Sequence, residues 1–325
     1  MATHVAASSG GKSTGMASTD LKKNLILCSM TLPGLIWLIL IRYLPMFGII
    51  VSFKDFKLPS PRATNIISDI FSREWVGLDN FGQLFSSPTT WQFMKNTIVY
   101  NAIFIVLGLV LAVAFAILIS ELTTKFLAKT YQTLMFFPYF LSWVVVSYFV
   151  WAFLSPTAGL WRDGFVNSLG MSAWYNDAKP WPFILVIANL WKNTGYSCIL
   201  YLAAITGIDT SQYEAARIDG ANKWQQIWHI TLPHLRTIII ILFIMNVGRI
   251  FNADFGLFYQ VPRGGAGALT KATEVVDTYV YKMLKDTINI GVSTAVGFFQ
   301  NIVGFVCIMV ANTIVRKVDP DSAMF

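Results

Sequence analysis

The segment 97–122 reads TIVYNAIFIVLGLVLAVAFAILISEL and contains no charged side chain before Glu121. A helix needs roughly 20 mostly apolar residues to cross a membrane core about 30 Å thick. This run is long enough, and its apolar residues do not alternate with polar ones as they do in the strands of a membrane barrel. We therefore predict a transmembrane helix here.

Five further apolar runs flank this segment. The chain has 325 residues, of which 55% are hydrophobic and 13% are charged, whereas about a quarter of the residues of a soluble globular protein are charged. This composition excludes a disordered protein and disfavours an ordinary soluble domain. The predicted fold class is an all-α membrane protein with six transmembrane helices. The other five runs are 25–53, 131–154, 182–205, 235–251 and 290–315.

The positive charges suggest how the chain is oriented in the membrane. Lys22 and Lys23 precede the first run and Arg316 and Lys317 follow the last, and cytoplasmic flanks of spans are enriched in such residues. We therefore interpret the net charge of +7 as a sign of how the chain is oriented in the membrane rather than of nucleic-acid binding. The expected organisation is a disordered cytoplasmic tail (1–24), a first span (25–53), an external segment (54–96), a five-helix core (97–315) with a cytoplasmic loop (207–233) and an external amphipathic segment (252–289), and a cytoplasmic tail (316–325).

The sequence offers no catalytic or metal-binding set. The three cysteines fall in apolar runs without pairing or metal-ligand spacing, which excludes a disulfide framework and a zinc site. His229 and His234 have no nearby carboxylate or cysteine in the sequence, so we expect them at a surface or interface. The chain is therefore predicted not to be an enzyme.

The cytoplasmic loop 207–233 is too long for a simple turn and has the pattern of two short helices. Ser211 and Glu214 have the spacing of a capping box that opens the first helix. Gly220 is where that helix should end, because glycine adopts positive φ without steric cost. Pro233 sits where the next span begins. A second helix would place apolar side chains on one face, and small alanines beside the corner would let another protein approach. These apolar side chains are Trp224, Ile227 and Trp228.

This loop resembles the EAA loop of the membrane subunits of binding-protein-dependent ABC importers. The resemblance implies a type I ABC-importer permease fold and a cytoplasmic coupling helix that docks on an ATPase subunit. Many relatives have phenylalanine where this chain has Ile227, and the exchange keeps an apolar side chain. The residues that carry the motif and would make the coupling contact are Glu214, Ala215, Ala216, Asp219, Gly220 and Ala221, followed by Ile230, Leu232 and Pro233.

Further stretches resemble the carbohydrate branch of this family, particularly permeases for oligosaccharides and polysaccharides such as alginate. These stretches are 42–48, 52–55, 75–81 and 96–97, and the resemblance covers roughly 30–315. It implies a permease in the bacterial inner membrane that works with a second permease of similar fold, two ATPase subunits and an external sugar-binding protein. In such an importer ATP and Mg²⁺ bind to the ATPase subunits and not to the permease.

Polar residues inside two predicted spans suggest a substrate path. Asn189, Lys192, Asn193 and Tyr196 share one helical face of the fourth span. Asn246 and Arg249 share a face of the fifth span, and Asn252 lies at its outer mouth. Amides can bond sugar hydroxyls and cations can pair with carboxylates. This set therefore favours an acidic, alginate-like oligosaccharide.

Other readings of these residues and of the chain stay open. Lys192 and Arg249 could pair with acids of a partner permease, and Arg249 could extend outward to the membrane surface. The rival functions are an ion-coupled secondary transporter or channel and a membrane enzyme. Few carboxylates in the spans and no clustered catalytic groups argue against both.

Overall fold

A computed structural model describes residues 14–56, 66–86, 88–157, 159–161, 174–265, 267–319 and 323. Within these ranges the chain is helical, and the β structure is limited to one isolated antiparallel bridge between Lys54 and Trp75. The α-helices are α1 (Thr14–Leu38), α2 (Ile66–Ser72), α3 (Asp79–Ser86), α4 (Pro88–Ser120), α5 (Lys125–Phe136), α6 (Trp143–Leu154), α7 (Trp181–Thr206), α8 (Thr210–Ile218), α9 (Lys223–Gln226), α10 (Leu232–Val247), α11 (Phe255–Gln260), α12 (Thr270–Thr273), α13 (Val276–Lys282) and α14 (Ile290–Val318).

The chain divides into two units, residues 1–51 and 52–325. In the first unit, α1 continues through a π-helical turn (Ile39–Tyr43) into a 3-10 helix that begins at Leu44. The helix starts at Thr14, so it includes the second half of the segment 1–24 that the sequence predicts to be disordered. Lys22 and Lys23 therefore lie within α1 and not in a loop that precedes it. Residues 1–13 of that segment lie outside the described residues.

The described residues contain four helices long and apolar enough to cross a membrane, or five if a bent pair counts as one span. The predicted fourth span forms a helix of 26 residues, α7, but its polar side chains interrupt the apolar run. The count of six spans therefore stays a prediction. The four helices are Leu27–Phe53, Thr89–Ser120, Lys223–Val247 and Ile290–Lys317.

The predicted third span is broken rather than continuous. Lys125–Phe140 and Trp143–Leu154 meet at an angle of 98°. Pro138 lies in the 3-10 turn before the break, and the Ser142 side chain caps α6 by accepting from the Val145 amide. Proline and a new N-cap both favour the end of one helix and the start of another.

Close contacts between helices depend on small residues in the second unit. Ala112 and Ala116 of α4 are fully buried against α7 and α10. Gly195 of α7 lies so near the Met135 carbonyl of α5 that an added Cβ would stand 1.9 Å from its oxygen. Small residues at helix interfaces let backbones approach in membrane proteins. These contacts hold α5, α7 and α10 around α4.

The two segments predicted to be external form packed structure where the structure describes them. Lys54 is only 2% exposed, and its ammonium donates to the carbonyls of Phe71 (2.8 Å) and Arg73 (3.0 Å). The predicted amphipathic helix forms as α13, and its Val276 packs with Phe93 of α4 and other buried apolar residues. Its apolar face is thus buried against α4 and α14, as cover for the helix ends.

Candidate functional site

The loop 207–233 forms the two predicted helices, with caps that differ from the predicted ones. Asp209, not Ser211, is the N-cap of α8, because its carboxylate accepts a hydrogen bond from the Ser211 amide at 2.9 Å. Hydrogen bonds from the backbone and side chain of Ser211 lower the pKa of the Asp209 carboxyl. The predicted capping box at Ser211 and Glu214 is therefore wrong, because both residues lie inside the helix. A reciprocal box occurs one helix later, where Asn222 and Gln225 exchange hydrogen bonds of 2.9 and 2.7 Å to open α9.

Gly220 makes the corner between the two helices. Its φ is +81°, a backbone conformation that costs glycine little and other residues more. The Ala221 amide donates to the Ala216 carbonyl at 2.8 Å and the Gly220 amide to the Arg217 carbonyl at 3.1 Å. This pair of bonds is a Schellman motif, which satisfies the last carbonyls of α8. The predicted glycine corner is confirmed.

An apolar surface is exposed around this corner. Ile218 is 87% exposed, Trp224 70% and Trp228 62%. Glu214, Ala215, Asp219 and Gly220 are also exposed, and Ala216 and Ala221 partly so. Large apolar side chains exposed together are typical of a protein interaction surface. We call residues 214–228 the coupling surface.

Three contacts involve the coupling surface and the residues that flank it. Lys223 forms an ion pair with Glu121, just after the end of α4. The hydroxyls of Tyr213 and Thr231 lie 3.0 Å apart and join α8 to the turn that precedes α10. Gln226 is 2% exposed and donates to the Ala221 carbonyl at 2.9 Å. The ion pair and the hydroxyl contact therefore link this region to the end of α4 and to the turn before α10.

A cavity of about 490 Å³ lies between α4, α7 and α10. The described residues that line it include several amides, a guanidinium and no carboxylate. Six of the seven residues predicted for the path line it, three on α7 and three on or just after α10. These six are Asn189, Asn193, Tyr196, Asn246, Arg249 and Asn252.

Asn101 of α4 also lines the cavity and was not among the predicted path residues. Its amide donates to the carbonyls of Ile250 (2.8 Å) and Asn252 (3.3 Å). The available signal was an amide inside the apolar run 97–120, where polar groups are costly. Sequence reasoning missed it because one amide shows no helical spacing of its own.

The structure does not bring Lys192 to the cavity. Its ammonium donates to the carbonyls of Tyr139 (2.7 Å) and Leu141 (2.6 Å), at the break before α6. It also lies 5.5 and 5.4 Å from the ring centroids of Tyr139 and Trp143. These carbonyls and rings, none of which belongs to the cavity lining, satisfy the ammonium.

The Arg249 guanidinium, in contrast, makes no hydrogen bond or ion pair with any residue that the structure describes. A guanidinium offers five donors in a planar fork that fits a carboxylate. The surrounding amides can donate to and accept from sugar hydroxyls. The cavity can therefore bind a polar ligand that carries negative charge.

The histidines have local partners. The rings of His229 and His234 each bond a carbonyl four residues earlier, of Gln225 at 3.0 Å and of Ile230 at 2.7 Å. The described residues contain no group of three or more histidine, cysteine, aspartate or glutamate side chains that could hold a metal ion.

Residues 105–321 match the family described as binding-protein-dependent transport system inner membrane component. The chain is 34% identical over 295 residues to the polygalacturonan/rhamnogalacturonan transport system permease protein YteP of Bacillus subtilis (strain 168), covering 89% of this chain and 87% of the relative. It is 32% identical over 308 residues to Protein LplB of the same bacterium, covering 93% and 92%.

Two solved structures are also similar. One is a bacterial ABC transporter involved in the import of the acidic polysaccharide alginate, with a TM-score of 0.80, 29% identity and coverage of 94% of this chain and 99% of that chain. The other is a bacterial alginate ABC transporter in complex with an alginate pentasaccharide-bound periplasmic protein, with a TM-score of 0.79, 28% identity and coverage of 92% and 97%.

Proposed function

The chain belongs to the family of binding-protein-dependent transport system inner membrane components, and from this premise we propose that it carries acidic oligosaccharides or polysaccharides into the cell. It is a permease subunit of a sugar ABC importer, with the type I permease fold. The proposed substrate is a chain of uronic acids similar to alginate, moved by alternating access.

The observation that carries the choice of substrate is the unpaired Arg249 guanidinium in the cavity. The described lining holds amides from three helices and no carboxylate that would neutralise this charge. A permease for neutral sugars needs the amides but gains nothing from an unpaired cation. The relatives named for polygalacturonan and alginate, both acidic polymers, support the same substrate class.

The coupling surface is proposed to dock on an ATPase subunit. Its exposed Ile218, Trp224 and Trp228 suit a partner's apolar cleft, and burying such side chains is worth about 1.5–3 kcal/mol each. The Lys223–Glu121 ion pair would pass the movement to α4. Partner ATPase subunits would bind ATP and Mg²⁺ and this chain would bind neither.

The proposed assembly contains this chain, a second permease of similar fold, two ATPase subunits and an external sugar-binding protein. The solved alginate importer bound to its periplasmic protein supports the last partner. The chain is proposed to cross the bacterial inner membrane several times, with both termini in the cytoplasm. The lysines at 22–23 and the basic pair at 316–317 support this orientation.

The test is transport by the assembled importer in lipid vesicles that contain ATP. We expect Arg249→Ala to slow the uptake of a uronic-acid tetrasaccharide about tenfold and that of a neutral tetrasaccharide less than twofold, because a charge-assisted hydrogen bond is worth about 1.5–3 kcal/mol. Arg236→Ala is the matched control, since it removes a positive charge from α10, the helix that precedes Arg249, at its pairing with Asp319.

Equal slowing of both sugars by Arg249→Ala would contradict an acidic substrate. Uptake driven by an ion gradient without ATP would instead favour the alternative function, an ion-coupled secondary transporter.

A further inference from the structure

The segment 248–254, which connects α10 to α11, holds two of the residues that line the cavity. Arg249 and Asn252 lie on it, and neither belongs to a helix. At the end of a helix the last carbonyls lose their partners in the next turn, and unsatisfied backbone groups are costly at membrane depth. The groups that form hydrogen bonds with this backbone therefore determine the positions of the Arg249 and Asn252 side chains.

Side chains from three other helices satisfy it. The Asn101 amide of α4 donates to the carbonyls of Ile250 (2.8 Å) and Asn252 (3.3 Å). The Gln300 amide of α14 donates to the Phe251 carbonyl at 2.7 Å. From α13, the Asp277 carboxylate accepts the Ala253 amide at 2.7 Å. Consecutive backbone groups are thus held from three directions.

Two of these anchors do not line the cavity. Gln300 is 5% exposed, and its amide also donates to the Asp277 carboxylate at 3.3 Å. Asp277 lies in the external segment, where burial raises the pKa of its carboxyl. Gln300 and Asp277 therefore act on the cavity only through the backbone of the connecting segment.

We propose that Asn101, Gln300 and Asp277 are positioning residues that hold the segment 248–254 so that the Arg249 guanidinium and the Asn252 amide face the substrate. This inference rests on the proposed function, because it assumes that the cavity receives the acidic sugar. A binding group held in place by its surroundings loses less freedom when the ligand arrives. Loss of an anchor should thus weaken binding most for the sugar that uses Arg249.

Equilibrium binding to the purified importer complex, without the sugar-binding protein, tests this. The probes are a uronic-acid tetrasaccharide and a neutral tetrasaccharide. Gln300→Met removes both donors at nearly constant shape, and we expect it to raise the dissociation constant of the acidic sugar about tenfold, the effect of losing roughly one hydrogen bond. The neutral sugar should change less than threefold.

The matched control is Asn301→Leu, on the neighbouring residue of α14. The Asn301 amide donates only to the Gly297 carbonyl of its own helix among the residues that the structure describes. We expect this variant to bind both sugars within twofold of the unmodified complex. An equal effect of the two variants, or an equal loss of both sugars in Gln300→Met, would overturn the positioning role.

A second pair of variants, at Asp277, distinguishes loss of an anchor from failure of the complex to assemble. Asp277→Ala removes the acceptor of the Ala253 amide, whereas Asp277→Asn retains an oxygen that can accept it. We expect weaker binding of the acidic sugar in the first variant and recovery in the second; no recovery would contradict the proposal.

The variant Arg249→Ala distinguishes a failure of the proposed substrate from a failure of the positioning role. If the unmodified complex does not prefer the acidic sugar, the proposed substrate fails; if it does and Arg249→Ala leaves that preference intact, the positioning role fails, because Arg249 is then not the group that recognises the acid. If Arg249→Ala abolishes the preference while Gln300→Met and Asp277→Ala do not alter it, only the positioning role fails.

Discussion

Lys192 places a positive charge inside α7 with its side chain only 8% exposed. The sequence predicted it on the cavity face, three residues from Asn189. Its ammonium instead binds the carbonyls at the break between α5 and α6. Replacing it would leave those carbonyls unsatisfied, at about 1–3 kcal/mol each.

We therefore predict that Lys192→Met lowers the uptake of acidic and neutral oligosaccharides equally, and that it lowers the thermal unfolding temperature of the complex. Lys125→Met, which removes an exposed lysine at the start of α5, is the control and should leave both unchanged. A loss of uptake confined to acidic sugars would instead indicate that Lys192 belongs to the substrate path. Vesicle uptake and a thermal melt provide the two measurements.

Local spacing predicted six of the polar residues that line the cavity but did not assign the side chains that anchor the segment 248–254. Asn189, Asn193 and Tyr196 recur at helical intervals, so one helix is enough to place them together. The contacts of Lys192 and Asn101 depend on where a second helix breaks or unwinds. That information lies in the tertiary packing and not in the periodicity of one segment.

At the scale of elements, the helix boundaries were harder to predict than the helices. Asp209 and Ser211 are both good N-cap residues, and only the path of the chain after α7 decides that Asp209 caps α8. The 98° break before α6 depends on Pro138 and Ser142, while the apolar run passes through it unchanged. Hydrophobicity thus predicted the run but could not predict its bend.

The contact between α5 and α7 supplies a test of packing. An added Cβ at Gly195 would lie 1.9 Å from the Met135 carbonyl oxygen and 2.4 Å from its carbon, and backbone atoms cannot turn aside as a side chain can. We predict that Gly195→Ala destabilises the complex by about 1–3 kcal/mol, measured as a lower thermal unfolding temperature.

Gly297→Ala is the control for this prediction. Gly297 lies inside α14, and an added Cβ would meet no heavy atom within 4 Å. Alanine favours helix by about 0.8–1.0 kcal/mol over glycine, so this variant should be neutral or slightly more stable. Equal stability of the two variants would contradict the close approach of α5 and α7.

The whole molecule combines a cavity between α4, α7 and α10 with the coupling surface, which lies in the chain between α7 and α10. The ion pair of Lys223 with Glu121 joins the coupling surface to the end of α4, and the hydroxyl contact of Tyr213 with Thr231 joins α8 to the turn before α10. The permease contributes the path, and the energy would come from ATPase subunits. Gly220, at the corner of the coupling surface, is the residue on which this link depends most.

The most direct test is sugar-stimulated ATP hydrolysis by the assembled importer with Gly220→Val. Gly77→Val is the matched control: Gly220 and Gly77 have φ of +81° and +57°, and neither has a heavy atom within 4 Å of an added Cβ. Both substitutions carry a similar strain of about 1–2 kcal/mol, but only Gly220 lies on the coupling surface. We predict at least a tenfold loss of sugar-stimulated hydrolysis for Gly220→Val and full activity for Gly77→Val. Full activity in Gly220→Val, or an equal loss in both variants, would contradict coupling through this loop.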